Sequence, residues 1–136
     1  MTLCDTGPLV ALLNRNDPQH ARCVEVLPLL PPAPLLTTLP CLVEAMYLLR
    51  RVGGIEAQQR LWQMRQQAKL LVYLHTDTEL DRMEALMRQY ADVPMDLADA
   101  SLVAAAESLG LRVIFTLDKH FHAYRIYHQE AFVVYP

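Results

Sequence analysis

Cysteines, glycines and long apolar runs are all scarce in this sequence of 136 residues. Its three cysteines, Cys4, Cys23 and Cys41, are too widely spaced to form a zinc motif or suggest a disulfide framework. No apolar stretch reaches the roughly 18 residues expected of a transmembrane helix. The first residues also lack the basic and hydrophobic regions of a signal peptide. We therefore expect reduced thiols and a cytoplasmic protein that does not contact a membrane.

The sequence also has no excess of basic residues over acidic ones. The chain has 12 Lys and Arg against 15 Asp and Glu, which gives a formal net charge of -3. This balance argues against nucleic-acid binding driven by charge alone, because proteins that bind in that way usually carry a basic surface. It does not exclude a nuclease whose acidic site recruits its positive charge as metal. The length and the 53% hydrophobic content fit one globular domain over residues 1–136.

Short strand-like stretches alternate with helical ones along the chain. The predicted strands are residues 1–5, 35–38, 69–74, 112–116 and 132–134. The predicted helices are residues 8–14, 18–27, 40–51, 55–67, 77–90 and 95–110. This alternation predicts a three-layer α/β/α sandwich with a central parallel sheet of about four to five strands. Ligands of such sheets bind at the carboxyl ends of the strands, so polar residues at those ends are the first candidates for a site.

Glu44 is the only carboxylate or basic side chain in the helical stretch 41–49. A helix that is apolar nearly all round is usually buried. A lone carboxylate in such a place is costly unless it is paired or coordinates a metal. The alternative is a solvated glutamate on a narrow exposed stripe. We expect Glu44 to be buried and functional.

Asp99 also lies among apolar neighbours. Helical spacing places it on one stripe with Leu102, Val103 and Ala106. Asp96 can cap this helix, and Asp99 would then occupy the third position, where a carboxylate favours the helix dipole. Capping accounts well for Asp96 but poorly for the apolar surroundings of Asp99.

Asp5 and Asp118 each follow a short apolar strand. Either residue could be an ordinary turn residue or helix cap, yet both occur where a parallel sheet binds its ligand. Together with Glu44 and Asp99 they can converge on one cleft, where bare carboxylates would repel each other. A divalent cation removes that conflict, and oxygen ligands of this kind suit Mg²⁺ or Mn²⁺.

Four segments form a pattern that resembles the PIN-domain family over essentially the whole chain. They are Asp5-Thr6 after the first strand, Glu44 in an apolar helix, Asp99-Ala100 opening another helix, and Thr116-x-Asp118 after a later strand. The chain is most similar in style to the VapC-type toxins of toxin–antitoxin pairs, which are single small PIN domains. The resemblance implies a Mg²⁺- or Mn²⁺-dependent ribonuclease that hydrolyses phosphodiester bonds, often forms a homodimer, and has an antitoxin protein as a possible partner.

The resemblance also implies roles for individual residues. The catalytic and metal-binding quartet would be Asp5, Glu44, Asp99 and Asp118. Many relatives carry a further acid two residues beyond the last of these, where this chain has His120. A fifth carboxylate ligand is therefore not expected.

Two other interpretations remain open. A phosphohydrolase of the dehalogenase type also has an Asp after its first strand, but it usually needs a second Asp where this chain has Gly7. A non-catalytic PIN-like module that binds RNA or protein is the other. Candidate phosphate contacts are Arg15, Arg50, Arg51, Lys119 and Arg125.

Overall fold

The computed structural model describes residues 1–136, which form five α-helices and seven short strands. The helices are α1 (Thr6–Leu13), α2 (His20–Val26), α3 (Leu39–Gln66), α4 (Asp77–Gln89) and α5 (Leu97–Leu109). The strands are β1 (Thr2–Cys4), β2 (Leu35–Thr38), β3 (Leu70–Tyr73), β4 (Val113–Phe115), β5 (Arg125–Ile126), β6 (Glu130–Ala131) and β7 (Val133–Tyr135). Two 3₁₀ turns cover Leu27–Leu29 and Lys119–His122.

Five of the strands form a parallel sheet in the order β3-β2-β1-β4-β7. Every residue of β1 and β2 is buried, as expected of central parallel strands covered on both faces. From β1 the chain adds β2 and β3 on one side and then places β4 on the other side. The strand order therefore reverses between β1 and β4, and the carboxyl ends of these two strands flank the position where such sheets bind ligands.

Neighbouring residues of each strand pack on opposite faces of the sheet. Leu3, Leu36 and Ile114 join a core formed with α4 and α5. The residues beside them in sequence, Cys4, Leu35 and Phe115, join a second core with α1, α2 and α3. The predicted three-layer α/β/α sandwich with a parallel sheet of four to five strands is confirmed.

The two helices expected on either side of Gly53-Gly54 are present as the two arms of α3 (Leu39–Gln66), which is kinked at Gly54, where φ is 64° and ψ is −157°. The antiparallel hairpin of β5 and β6 was not predicted, because each strand is only two residues long. None of the helices combines the length and the apolarity needed to cross a membrane.

Candidate active site at the carboxyl edge of the sheet

Asp5 stands where β1 ends and α1 begins. Its backbone N–H donates to the Phe115 carbonyl at 3.0 Å, so the residue remains attached to β4. Its side chain caps α1, since Oδ1 accepts from the backbone N–H of Thr6 at 2.7 Å. The other carboxylate oxygen, Oδ2, accepts from the Thr116 hydroxyl at 2.7 Å. Asp5 is only 8% exposed, and these bonds fix it at the point where the strand order reverses.

Asp118 is positioned by the turn that follows β4. Its backbone N–H donates to the Thr116 hydroxyl at 3.0 Å, and the same hydroxyl donates to Asp5. Its side chain caps the 3₁₀ turn by accepting from the backbone N–H of His120 at 2.9 Å. The His120 ring nitrogen Nδ1 lies 2.9 Å from the same carboxylate oxygen. His120, which stands where many relatives carry a fifth acid, thus contacts Asp118, the fourth acid of this chain.

Glu44 reaches the site from the first turns of α3. Its Oε2 lies 3.5 Å from the Thr6 hydroxyl, which also donates to the Cys41 carbonyl at 3.3 Å. The expectation that Glu44 is buried was wrong. It belongs to an exposed stripe of the helix with Val43 and Tyr47, each 62% exposed. An apolar residue on the surface is common in folded proteins, so apolar neighbours in sequence did not imply burial.

Asp99 and Asp96 begin α5 as a reciprocal capping box. The Asp99 backbone N–H donates to the Asp96 side chain at 2.8 Å, and the Asp96 backbone N–H donates to the Asp99 side chain at 3.2 Å. The predicted cap is thus present. The Tyr124 hydroxyl lies 3.2 Å from an Asp99 carboxylate oxygen and also contacts the Pro94 carbonyl, and its one proton is donated to only one of these oxygens at a time. Sequence reasoning missed Tyr124, because 25 residues separate it from Asp99.

Asp5, Glu44, Asp99 and Asp118, the four acids singled out from the sequence, line one open cleft of about 300 Å³, and Asp96 lines it with them. Gly7 forms part of the wall, where an added Cβ would lie 3.3 Å from the Leu117 side chain. The protein has four salt bridges, and none of them joins a cleft acid to a lysine or arginine. The cleft therefore concentrates negative charge without a lysine or arginine to balance it.

This imbalance alters the protonation of the buried acids. Burial raises the pKa of Asp5 to about 6, aided by the charges of Asp118 and Glu44 and opposed by hydrogen bonds from Thr116 and Thr6. Burial also raises the pKa of Asp99 to about 7, and the charges of the neighbouring acids act in the same direction.

The pKa values of two further groups at the cleft, Glu44 and Cys41, are raised as well. Glu44 is exposed as a residue, but partial desolvation of its carboxylate at the cleft, together with the charge of Asp96, raises its pKa against the lowering effect of the Thr6 hydroxyl. The thiol of Cys41 lies 3.9 Å from the nearer Asp5 oxygen, and burial raises its pKa to about 12. Cys41 thus stays a protonated core residue, because it lacks the lowered pKa of a reactive cysteine.

The acids of the cleft have the donor chemistry that a divalent cation requires. The acids offer only hard oxygen ligands, which suit Mg²⁺ or Mn²⁺. Their raised pKa values show that the cleft favours added positive charge. As arranged, no three His, Cys, Asp or Glu side chains stand close enough together to hold one ion. The chemistry of the donors thus fits such a cation, while their side chains are not yet gathered around one point.

The protein is therefore an α/β sandwich with a parallel sheet, and its acidic cleft lies where the strand order reverses between β1 and β4. The chain matches the family model for the PIN domain over residues 2–127, and it belongs to the PIN-domain family. No curated protein matches the sequence.

Solved structures that share the fold include the following two. One is the Mycobacterium tuberculosis toxin VapC20, described as cleaving the sarcin–ricin loop, with a TM-score of 0.81 and 20% identity over 90% of this chain and 95% of that one. The other is a toxin–antitoxin complex from Klebsiella pneumoniae, with a TM-score of 0.67 and 21% identity over 89% of this chain and 90% of that one. At such identities the likeness shows the fold, which is that of VapC toxins.

Proposed function

We propose that this chain is a metal-dependent endoribonuclease that hydrolyses RNA phosphodiester bonds. The observation that carries the proposal is the convergence of Asp5, Glu44, Asp99 and Asp118 on one cleft that contains no balancing lysine or arginine. Structural acids are normally paired with cations, whereas strongly shifted acids in a cleft are typical of active sites. Membership of the PIN-domain family, whose members include ribonucleases, supports the same function.

Asp5 and Asp99 would hold the cation directly, because they are the most buried of the four acids and their pKa values are raised furthest. Glu44 and Asp118 would complete the site or orient the attacking water. When bound, Mg²⁺ or Mn²⁺ lowers the pKa of a coordinated water and stabilises negative charge on the phosphate oxygens.

The neighbouring side chains keep the acids in place. Thr116 connects Asp5 and Asp118 through one hydroxyl, and Thr6 connects the start of α1 to Glu44. Tyr124 holds one oxygen of Asp99 from the side of the core. These contacts restrain the carboxylates of Asp5, Glu44 and Asp99 and the backbone of Asp118.

We further propose that the protein is the toxin of a toxin–antitoxin pair and that it works as a homodimer. The likeness of its fold to VapC20 and to a chain of a toxin–antitoxin complex supports the assignment as a toxin. Its three unpaired cysteines are in keeping with a reducing compartment such as the cytoplasm. Co-expression with the product of the adjacent open reading frame tests the partner, and light scattering tests the dimer.

Cleavage of a labelled single-stranded RNA tests the nuclease. The wild-type chain should cut it with Mn²⁺ or Mg²⁺ and stop when EDTA is added. Asp5→Asn should be inactive under all conditions, while Asp81→Asn, which removes the same charge from an exposed position on α4, should retain wild-type activity. Full metal-dependent cleavage by a folded Asp5→Asn protein would show that the cleft is not the active site.

The same assay separates the alternatives. A non-catalytic module would bind the RNA without cutting it, with or without metal. A phosphohydrolase of the dehalogenase type would release phosphate from small esters and leave RNA intact. The match to the PIN family over residues 2–127 already argues against that second alternative.

A further inference from the structure

A second polar cavity lies at the far end of α1 from the acidic cleft. It has a volume of about 620 Å³ and is enclosed by the carboxyl end of α1, the turn after it and the middle of α3. Its polar lining consists of basic and amide side chains and includes no carboxylate: Asn14, Arg15, Asn16, His20 and Arg60. In a chain with a net charge of -3, this is a local concentration of positive charge.

The two guanidinium groups of this basic cavity are not engaged by acids. All four salt bridges of the protein lie elsewhere, so neither Arg15 nor Arg60 has a carboxylate partner. Arg60 donates only one long hydrogen bond, to the Leu13 carbonyl at 3.4 Å. Asp17 lies nearby in sequence, but its side chain accepts from the Gln19 backbone at 2.8 Å. Both arginines are thus available for an anion, and a guanidinium binds phosphate oxygens in a two-pronged manner.

The histidine and an asparagine add further groups that can face a ligand. His20 Nδ1 lies 2.7 Å from the Ala11 carbonyl, and because a carbonyl can only accept, this nitrogen carries the proton. The bond fixes the ring and leaves Nε2 uncommitted. The Asn14 side-chain oxygen accepts from the Asn16 backbone at 3.1 Å, so its amide hydrogens remain available to an acceptor.

The basic cavity and the acidic cleft lie at opposite ends of the same helix. Asp5 caps the start of α1 and Asn14 caps its end. Eight helical residues at about 1.5 Å each separate the two by roughly 12 Å. Consecutive nucleotides of a helical strand advance by about 3.4 Å, so this separation corresponds to about three or four nucleotides.

The surface of α3 between the two sites suits a single strand of nucleic acid. Glu44, Tyr47 and Arg51 recur at helical spacing and share one face. Glu44 lines the cleft, and Arg51 directly precedes Val52, which lines the cavity. Tyr47 is 62% exposed, and the Arg51 guanidinium lies 5.9 Å from the centre of its ring. An exposed aromatic ring beside a cation is a common stacking platform for unpaired bases.

We propose that the basic cavity binds the backbone phosphates of single-stranded RNA about three or four nucleotides from the bond that is cut. The proposal rests on the ribonuclease function proposed above and specifies its substrate as an unpaired strand that extends along α1 and α3. Arg15 and Arg60 are the principal phosphate contacts. The Asn14 amide is the supporting one.

Fluorescence anisotropy with the full chain in EDTA tests this proposal without any cleavage. The probes are a labelled RNA of about 3 nucleotides, which spans only the cleft, and one of about 12, which can reach both sites. The double variant Arg15→Ala/Arg60→Ala should bind the long RNA roughly ten-fold more weakly and bind the short one as the wild type does. Its salt dependence for the long RNA should fall by about 1.4 in log–log slope, since each lost phosphate contact accounts for about 0.7.

The matched control is Arg65→Ala/Arg88→Ala, which removes two exposed charges outside the cavity and should bind both RNAs normally. Unchanged affinity for the long RNA in the cavity variant, or an equal loss in the control, would overturn the proposal. The proposal would also be overturned if Arg15 and Arg60 were required for binding an acidic peptide but not for binding RNA. A chain that binds RNA through the cavity but cuts none would refute the nuclease and keep the RNA site. A chain that cuts RNA while its binding ignores the arginines would refute the site alone.

Discussion

Helix α5 carries two buried acids, Asp99 in its first turn and Glu107 two turns later, and their surroundings are opposite. Asp99 is 8% exposed and Glu107 is 6% exposed, so burial alone does not separate them. The carboxylate of Glu107 accepts from two nitrogens of Arg82, at 2.7 Å and 3.0 Å. It also accepts from the backbone N–H of Tyr127 at 2.7 Å. Glu107 therefore joins α4, α5 and the β5–β6 hairpin through a balanced charge.

Asp99 has hydrogen-bond donors but no cation. Its charged neighbours are all acids, Asp96, Asp5 and Asp118, and burial together with their charges raises its pKa to about 7. A buried carboxylate that is matched by an arginine contributes to the architecture, whereas an unmatched one disfavours the folded state unless a ligand supplies the missing charge. The presence or absence of a cationic partner, rather than burial, therefore distinguishes the functional acid, Asp99, from the structural one, Glu107.

The largest expected effect is on cleavage, and it should separate the two acids completely. Asp99→Asn removes a charge from the cleft and should lower the cleavage rate by roughly 10³-fold, since metal ligation stabilises several kcal/mol of transition-state charge. Glu107→Gln makes the same chemical change on the same helix outside the cleft, so its folded fraction should cleave as the wild type does. Single-turnover rates at saturating metal measure both. Equal losses in the two variants would contradict a functional difference between them.

The second effect is on stability, and it should fall on the structural acid. Arg82→Ala leaves Glu107 buried and without its cation, which should lower the free energy of unfolding by about 3 kcal/mol. Arg88→Ala is the matched control, because Arg88 and Glu84 form a salt bridge between side chains that are 80% and 64% exposed. Such exposed pairs contribute less than about 0.5 kcal/mol. Urea unfolding with unchanged m-values measures both variants, and a similar small loss in each would show that the Arg82–Glu107 pair is not structural.

Much of the fold could be predicted because local pattern and tertiary structure agree. Residues 35–38 were predicted as the second strand, and β2 covers the same residues. The prediction was possible because all four are leucines or threonines and the segment before them is rich in proline. Asp96 was correctly predicted as the cap of α5. The break within α3 was also predicted correctly, because two glycines usually end a helix and the chain leaves helical geometry at Gly54.

The site could be predicted only in part. Asp5 and Asp118 were found from the rule that parallel sheets bind ligands at strand ends, and the structure brings them to one cleft. Glu44 was chosen for a wrong reason, since it is exposed. The same reasoning applies equally to Glu107, a lone acid in an alanine-rich helix, whose partner Arg82 lies 25 residues earlier. Local sequence cannot tell these cases apart, because the deciding cation is supplied by another element.

The smallest expected effect concerns the dependence of stability on pH, and its sign should differ between two acids. Asp99 has its pKa raised from 3.8 to about 7 in the folded protein. The folded state therefore binds a proton more tightly than the unfolded chain, and stability falls as the pH rises from 3.8 through about 7. Asp99→Asn removes this penalty and should stabilise the metal-free protein by on the order of 2 kcal/mol above that range. The gain should vanish below it.

Glu79 provides the opposite case in α4. Burial would raise its pKa, but hydrogen bonds from Tyr73, Thr76 and Ser108 outweigh burial and lower it from 4.5 to about 2. Its contribution to stability is therefore present above pH 4.5 and is lost as the pH falls through about 2. Glu79→Gln should cost about 1 kcal/mol at neutral pH, allowing for its solvent exposure, and less in acid. Urea unfolding of both variants across pH in EDTA measures the two slopes. If Asp99→Asn and Glu79→Gln shift stability in the same direction at neutral pH, the contrast between unmatched cleft acids and satisfied structural acids does not hold.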